Sequence, residues 1–438
     1  MWALSVDGPE MAQGGRHMRI MLAGISSGCG KTTASLALMA ALREKGLVVA
    51  PFKSGPDYID PGFHRIACGR PSHNLDEWLC APQSITRLLA EGSEGADIAV
   101  IEGAMGMYDG LGGGTQCSAY ALALHTHTPI VLVVDASGSA ASAAATALGF
   151  LKYRPDNTIA GVLVNRASSQ RHYDLIKEAM AGIGLSCVGW LPKDAGLGMP
   201  DRHLGLVPVE ERPEAKSQID RAASLLKLDM DALEAVAKRA EALSPAPFDY
   251  PGSLRGKRVG LAKDAAFSFT YEANLTALRR MGAELATFSP LADAALPDGL
   301  DALYLPGGFP EVFEAELTAN VAMAASMRAA VEGGLRVYAE CGGMLYLSMI
   351  GAIALKWEMT KRLQRFGYVT VTDGDGYQFP AHEFHHSVVT PTAPLATRFE
   401  VAKGERRYRE GYIYKNALAG YPHIHFYDRP GLAERLFL

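Results

Sequence analysis

The sequence predicts an α/β protein of two domains, each a parallel sheet covered by helices. Three observations predict it. Between residues 18 and 210, short apolar runs alternate with helical segments, the pattern of a parallel sheet with helices on both faces. A proline-rich stretch from Ser244 to Gly252 then breaks the pattern. From Arg258 the alternation starts again. The length of 438 residues allows two to three domains.

The strands expected in the first half are Arg19–Ala23, Val48–Phe52, Ile98–Ile101, Ile130–Val134, Ile159–Val164 and Ser186–Leu191. Each ends in polar or glycine-rich sequence. Ligands of such sheets bind beyond the carboxyl ends of the strands, so those ends are where chemistry is sought. The first strand runs into Gly24-Ile25-Ser26-Ser27-Gly28-Cys29-Gly30-Lys31-Thr32-Thr33, and a helical pattern follows. Strand, glycine loop and helix together make a phosphate site. Gly28 and Gly30 let backbone N–H groups converge on phosphate oxygens. Lys31 reaches the β- and γ-phosphates, Thr32 offers its hydroxyl to Mg²⁺, and Thr33 opens the helix beside it. Five residues rather than four separate Gly24 from Gly30.

The second strand leads into Lys53-Ser54-Gly55-Pro56-Asp57-Tyr58-Ile59-Asp60-Pro61. Two prolines and a glycine fix this loop. It gathers Lys53, Asp57 and Asp60, and a carboxylate pair beside a triphosphate suits Mg²⁺; the clustering of three charged groups in one constrained loop favours this over a solvated turn. The third strand ends at Glu102, where a second acidic Mg²⁺ ligand belongs. Asp109, between Tyr108 and Gly110, reads as a turn former. Asn165, at the end of the fifth strand, is a candidate for reading adenine or else a helix cap. Arg202 and His203 are candidates for anionic substrate groups.

Asp229 to Leu243 reads as an amphipathic helix, and the proline-rich linker follows it. Beyond it come a strand at Val259–Ala262, a helix from Asn274 to Met281, and a strand at Ala302–Leu305 that opens onto Pro306-Gly307-Gly308. Next is Arg336-Val337-Tyr338-Ala339-Glu340-Cys341-Gly342-Gly343. A strand that turns sharply through a cysteine into a glycine-led helix has the geometry of a nucleophile elbow. The helix N-terminus favours the thiolate, and N–H groups at Gly342 and Gly308 supply an oxyanion hole. A thiol nucleophile needs a base. His423 and His425, in Gly420-Tyr421-Pro422-His423-Ile424-His425, fall on one face of an extended segment. A second cluster, His382-Glu383-Phe384-His385-His386, reads as the lining of a cleft between the domains.

Composition narrows the partners. Apolar residues make up 48 % and charged residues 20 %, as in soluble globular proteins. No apolar run approaches the ~20 residues of a membrane helix. Six scattered cysteines without a Cys-x-x-Cys pair point to a reducing, cytoplasmic setting. A net charge of −5 indicates neither nucleic acid nor membrane as partner. Residues 1–17 lack an apolar segment and read as a disordered extension rather than a signal peptide.

Together these motifs resemble the cobyrinate a,c-diamide synthases, over nearly the whole chain from Met18. The resemblance rests on the phosphate loop, the Gly-Pro-Asp-Tyr-Ile-Asp-Pro run, Glu102-Gly103-Ala104-Met105-Gly106, Glu340-Cys341-Gly342-Gly343 and Tyr421-Pro422-His423. The first domain is also similar to dethiobiotin synthetase, which shares the longer phosphate loop. The resemblance implies a P-loop NTPase domain over 18–225 that binds ATP and ligates ammonia. A helix and linker over 226–257 and a class I glutamine amidotransferase-like domain over 258–438 follow. It implies Cys341 as nucleophile and His423 as base. Asp57, Asp60 and Glu102 then serve ATP, Mg²⁺ and carboxylate activation, with Asp60 catalytic and Lys53 at the nucleotide. The implied reaction is ATP- and glutamine-dependent amidation of the a and c carboxylates of cobyrinate through acyl phosphates. Hydrogenobyrinate or nickel sirohydrochlorin is the alternative substrate. A ParA-like nucleotide switch with a non-catalytic second domain is the alternative of another class. Partners are ATP, glutamine and an anionic tetrapyrrole, with a homodimer as the assembly and no organic prosthetic group. Two departures stand out: His425 occupies the position where class I glutaminases carry a Glu, leaving the third triad member open, and Ser348 to Glu358 is shorter than the family pattern.

Overall fold

A computed structural model describes residues 18–198, 201–202 and 205–438, without the side chains of 201, 202, 205 and 206. The N-terminal extension and the side chains of Arg202 and His203 lie outside the described residues. The chain forms two compact units that interleave in sequence. The first takes the chain up to Phe52, then Leu89–Leu197 and Ile219–Ala246; the second takes Lys53–Leu88, Gly198–Gln218 and Pro247–Leu438. The sequence reading drew one boundary at the linker. Lys53–Leu88 groups instead with the later residues for a visible reason. The Tyr368 hydroxyl donates to Asp76 at 2.6 Å, Trp78 stacks on Tyr368, and the Arg87 guanidinium lies 5.0 Å from the Tyr427 ring.

In the first unit the sheet runs from Lys227–Leu228 through Ser186–Pro192, Ile159–Ala167, Ile130–Asp135, Met18–Gly24 and Ile98–Gly106 to Val49–Ser54. The pairs from Ile98–Gly106 to Ser186–Pro192 are parallel, and Lys227–Leu228 adds antiparallel to Ser186–Pro192 at that edge. Central strands such as Ile20–Ala23 and Ile130–Val133 are wholly buried, as parallel strands covered on both faces must be. Parallel register brings the strand ends together. Leu22 lies opposite Glu102, Gly24 opposite Gly106, and Asp135 opposite Asn165. The helix expected from Asp229 to Leu243 is shorter, Met230–Ala237. Arg19 accounts for the chain beyond it. This buried guanidinium donates to Thr128 Oγ1, to the Thr126 carbonyl and, at 3.0 Å, to the Glu241 carbonyl.

The second unit's sheet starts with five parallel strands, Glu284–Phe288, Arg258–Ala262, Ala302–Leu305, Arg336–Glu340 and Ala417–Gly420. It continues antiparallel through Arg406–Tyr414, Ala396–Lys403, Arg365–Thr372 and Gln378–His385, and ends on His423–Ile424. Ala417–Gly420 and His423–Ile424 are one run of chain, so this part of the sheet closes on itself. Val369, Val371, Phe379, Phe399, Val401, Leu418 and Ile424 belong to one core cluster of that sheet. Asn274, wholly buried on the helix Glu272–Arg280, clamps the run that carries His423. Its Nδ2 donates to the Ile424 carbonyl at 2.7 Å and its Oδ1 accepts from the Phe426 N–H at 2.8 Å. Asn274→Ala leaves both backbone groups buried and unpaired, so denaturant unfolding is expected to show a loss of about 2–4 kcal/mol.

Candidate active site

In the second unit the strand Arg336–Glu340 ends at Cys341, and the helix Gly342–Met349 begins directly after it. Cys341 has φ 49° and ψ −103°, outside the regions a non-glycine residue favours. Such strain persists only where the surroundings enforce it. Here the Cys341 N–H donates to the Gly420 carbonyl at 2.7 Å. Gly342 and Gly343 make the turn sterically feasible: a Cβ on Gly343 would meet the Leu305 carbonyl oxygen at 2.2 Å, and one on Gly342 would meet the Gly308 nitrogen at 2.9 Å. The same closeness brings Gly308 and Gly342 together, the two glycines expected to form the oxyanion hole.

His423 is buried. Its Nδ1–H donates to Glu340 Oε1 at 2.8 Å, and the Tyr338 hydroxyl donates to Glu340 Oε2 at 2.7 Å. Burial pulls the His423 pKa down. Its hydrogen bond and charge interaction with Cys341, together with those of Glu340, outweigh burial and hold the pKa up at about 10. The imidazole is therefore protonated at neutral pH. Gly307 lies against it, since a Cβ there would come 2.7 Å from His423 Cε1. Tyr58 packs on the ring with centroids 5.1 Å apart. His425 stands elsewhere. It faces the Cys80 thiol at 3.3 Å and the Tyr271 ring at 4.9 Å, and burial lowers its pKa to about 4. The residue that orients His423 is thus Glu340, which sequence reasoning missed. The available signal was a glutamate closing an apolar strand immediately before Cys341.

The loop Lys53–Pro61 is closely bonded. Lys53 Nζ pairs with Asp60 Oδ2 at 2.5 Å, both buried. Asp57 Oδ1 accepts from the Ile59 and Asp60 N–H groups, and Asn74 donates to the Asp57 and Gly55 carbonyls. His382, Glu383 and His385 lie buried on the strand Gln378–His385.

In the first unit the phosphate loop precedes the helix Lys31–Glu44. Gly28 and Gly30 take φ of 77° and 88°. The extra residue explains the need for Gly24, where a Cβ would collide with Cys29 Sγ at 2.5 Å and Lys31 Cδ at 2.7 Å. Lys31 Nζ donates to the Ser26 carbonyl at 3.1 Å, so the amine lies over the loop. Thr32 Oγ1 donates to Glu102 Oε1 at 2.7 Å, with Glu102 wholly buried; Thr33 is partly exposed. Asn165 Nδ2 donates to the Cys29 carbonyl at 2.9 Å and so braces the loop. Asp109 Oδ2 accepts from the Gly106 N–H, as a turn former does.

Residues 20–207 match the CobQ/CobB/MinD/ParA nucleotide binding domain, and residues 258–431 match the CobB/CobQ-like glutamine amidotransferase domain. A protein of Listeria innocua named cobyrinate a,c-diamide synthase is 40 % identical, covering 96 % of this chain and 98 % of its own. The chain belongs to the cobyrinate a,c-diamide synthase family. A Salmonella typhimurium protein of that name is 39 % identical over 96 % of this chain and 97 % of its own. A Streptomyces coelicolor protein named hydrogenobyrinate a,c-diamide synthase is 39 % identical over 95 % and 96 %. As a member of the family the chain is an amidotransferase ligase of α/β fold, with a P-loop domain and a glutamine amidotransferase domain.

A family that uses a nucleotide implies Mg²⁺. Among the described residues no three His, Cys, Asp or Glu side chains form a metal cluster. The Thr32 hydroxyl and Glu102 carboxylate, in contact beside the loop, are all-oxygen donors and fit an ion that takes its remaining ligands from phosphate and water. No described helix is long and apolar enough to cross a membrane.

Glu340 raises the His423 pKa, so Glu340→Gln lowers it. The alkaline limb of the pH profile for glutamate release from glutamine, expected near pH 10 in the wild type, should move to lower pH. The plateau rate should fall by roughly 10-fold or more.

Proposed function

We propose that this chain uses ATP and glutamine to amidate the a and c side-chain carboxylates of cobyrinate, each through an acyl phosphate. The observation that carries the reading is the strained Cys341 beside an imidazolium oriented by Glu340. A nucleotide switch has no use for such a device, whereas an enzyme that takes nitrogen from glutamine requires one. Cobyrinate is favoured by the names of the Listeria and Salmonella relatives. The Streptomyces relative supports hydrogenobyrinate as the second reading, because the two substrates present the same carboxylates to the same chemistry.

The thiolate of Cys341 attacks the amide carbon of glutamine. The developing oxyanion is met by N–H groups at Gly308 and Gly342. His423 gives its proton to the departing nitrogen, the C–N bond breaks, and ammonia leaves a glutamyl thioester. Water, deprotonated by His423, then releases glutamate and regenerates the thiol. In the nucleotide-binding domain a carboxylate oxygen of the macrocycle attacks the γ-phosphorus of ATP and ADP departs. Ammonia attacks the resulting acyl phosphate and expels phosphate. A carboxylate is a poor acyl donor, and phosphorylation supplies the leaving group it lacks. Lys31 neutralises charge as the phosphoryl group moves. Mg²⁺, which Thr32 and Glu102 would hold, supplies further neutralisation. Asn165 braces the loop on which the nucleotide rests. Asp57, whose Oδ1 is engaged with two backbone N–H groups, shapes its own loop, which also carries the buried Lys53–Asp60 pair.

Cys341→Ala should abolish glutamine-supported amidation while ammonium salts still support it at close to the wild-type rate, measured by mass spectrometry of the tetrapyrrole product. Loss of both activities would make the thiol structural. Lys31→Ala should cut ATP-dependent amidation from either nitrogen source by roughly 10²-fold or more and leave glutamate release detectable. Unchanged amidation would remove the phosphate loop from the mechanism.

A further inference from the structure

Close to the glutaminase centre the second unit buries hydrogen-bond acceptors that have no donor. Glu383 is 1 % exposed. The Tyr408 hydroxyl donates to its Oε2, while its Oε1 is buried with no partner. His385 lies two residues further along the same strand and therefore on the same face. Its Nδ1 lies 2.8 Å from the Ser387 carbonyl. A carbonyl can only accept, so the proton is on Nδ1 and Nε2 presents a lone pair. That Nε2 is likewise buried without a partner. Burial holds the His385 pKa down at about 4, consistent with a neutral ring.

Both residues belong to the neighbourhood of the nucleophile. His385 stacks on Tyr421 at 3.5 Å, and Tyr421 follows the Gly420 whose carbonyl holds the Cys341 N–H. His423 and Glu383 interact electrostatically. Glu383 also lines a cavity of ≈ 270 Å³ with Arg365, Phe366, Lys403, Arg406 and Tyr408, roomy enough for the head of an amino acid. Arg365 and Lys403 lend Glu383 some charge compensation, but a buried acceptor oxygen without a donor is costly, and the bare imidazole acceptor two residues along adds to that cost. A ligand that brings several N–H donors and a positive charge would satisfy both.

We propose that Glu383, with His385 Nε2, binds the α-ammonium group of glutamine, and that the basic side chains of the same cavity, Arg365 foremost, take its α-carboxylate. This rests on the reading of Cys341 as a glutaminase nucleophile. It assigns the residues that distinguish glutamine from a simple amide.

The test compares glutamine with its des-amino analogue, 4-carbamoylbutanoate, as substrates for glutaminase turnover by the full-length protein. The wild type should prefer glutamine by ~10²-fold or more in kcat/KM, since a site built for a polar group rejects the analogue that lacks it. Glu383→Gln should raise the glutamine KM by at least ~10-fold with kcat changed less than ~3-fold. Turnover of the analogue should be unaltered, so the preference collapses, while ammonium-supported amidation stays at the wild-type rate. Comparable use of glutamine and analogue by the wild type would overturn the assignment without any variant. So would a variant that keeps the wild-type KM and preference, or one that loses both substrates equally, which marks a structural role. If the variant keeps the glutamine KM but releases glutamate without amidating, Glu383 handles freed ammonia and the assignment falls. A wild type that releases no glutamate from glutamine defeats the glutaminase reading itself, and this assignment with it.

Discussion

The contact on which the glutaminase centre depends is the hydrogen bond between His423 and Glu340, made where water does not reach. Burial by itself would strip the imidazole of its proton. Glu340 and Cys341 reverse that outcome and hold the proton in place. Tyr338 donates to the other oxygen of Glu340 and so holds the carboxylate in position. The geometry follows from where the three residues are carried. Glu340 and Cys341 are consecutive on one strand, and the Gly420 carbonyl ties Cys341 to the run of chain that brings His423 back. Asn274 then fixes that run from the helix side. The centre is a property of the closed sheet more than of any one loop.

The nucleotide-binding unit solves a different problem, presenting backbone N–H groups without a collapse of the loop that carries them. Its phosphate loop is one residue longer than the common form and needs support. The support comes from below through Gly24, which leaves room for Cys29 and Lys31, and from the side through Asn165. Lys31 rests on a loop carbonyl and Thr32 on Glu102. These contacts keep charged and polar groups in place before phosphate arrives, which is the form of preorganisation that stabilises developing charge at least cost.

Much of the fold was legible in the chain itself. Apolar runs bounded by glycine and polar residues located six strands between Met18 and Pro192, because parallel strands covered on both faces tolerate little else, although the strand from Ile98 runs on to Gly106 and the short strand His73–Leu75 was not expected. The cysteine elbow and the phosphate loop were legible because each requires glycine where a Cβ would collide. Other features were hidden. Alternation placed His423 and His425 on one face, yet their partners differ completely, Glu340 for one and Cys80 with Tyr271 for the other. The segment Lys53–Leu88 is continuous in sequence with the nucleotide-binding half, yet it groups with the later residues, where Asp76 accepts from Tyr368 and Cys80 faces His425. Nothing local announces either fact.

The sequence by itself determined the two α/β units, the phosphate loop, the cysteine elbow and the extended segment that carries His423, since each rests on short-range patterns of apolarity, glycine and turn chemistry. Only the tertiary structure decided that Glu340 orients the histidine and that Asn165 braces the loop. It also decided that Glu383 and His385 are left buried with acceptors unmet. The physical reason is common to all of these. A hydrogen bond between residues far apart in the chain depends on strand register and on which face each side chain takes, and those are settled only when the sheet closes.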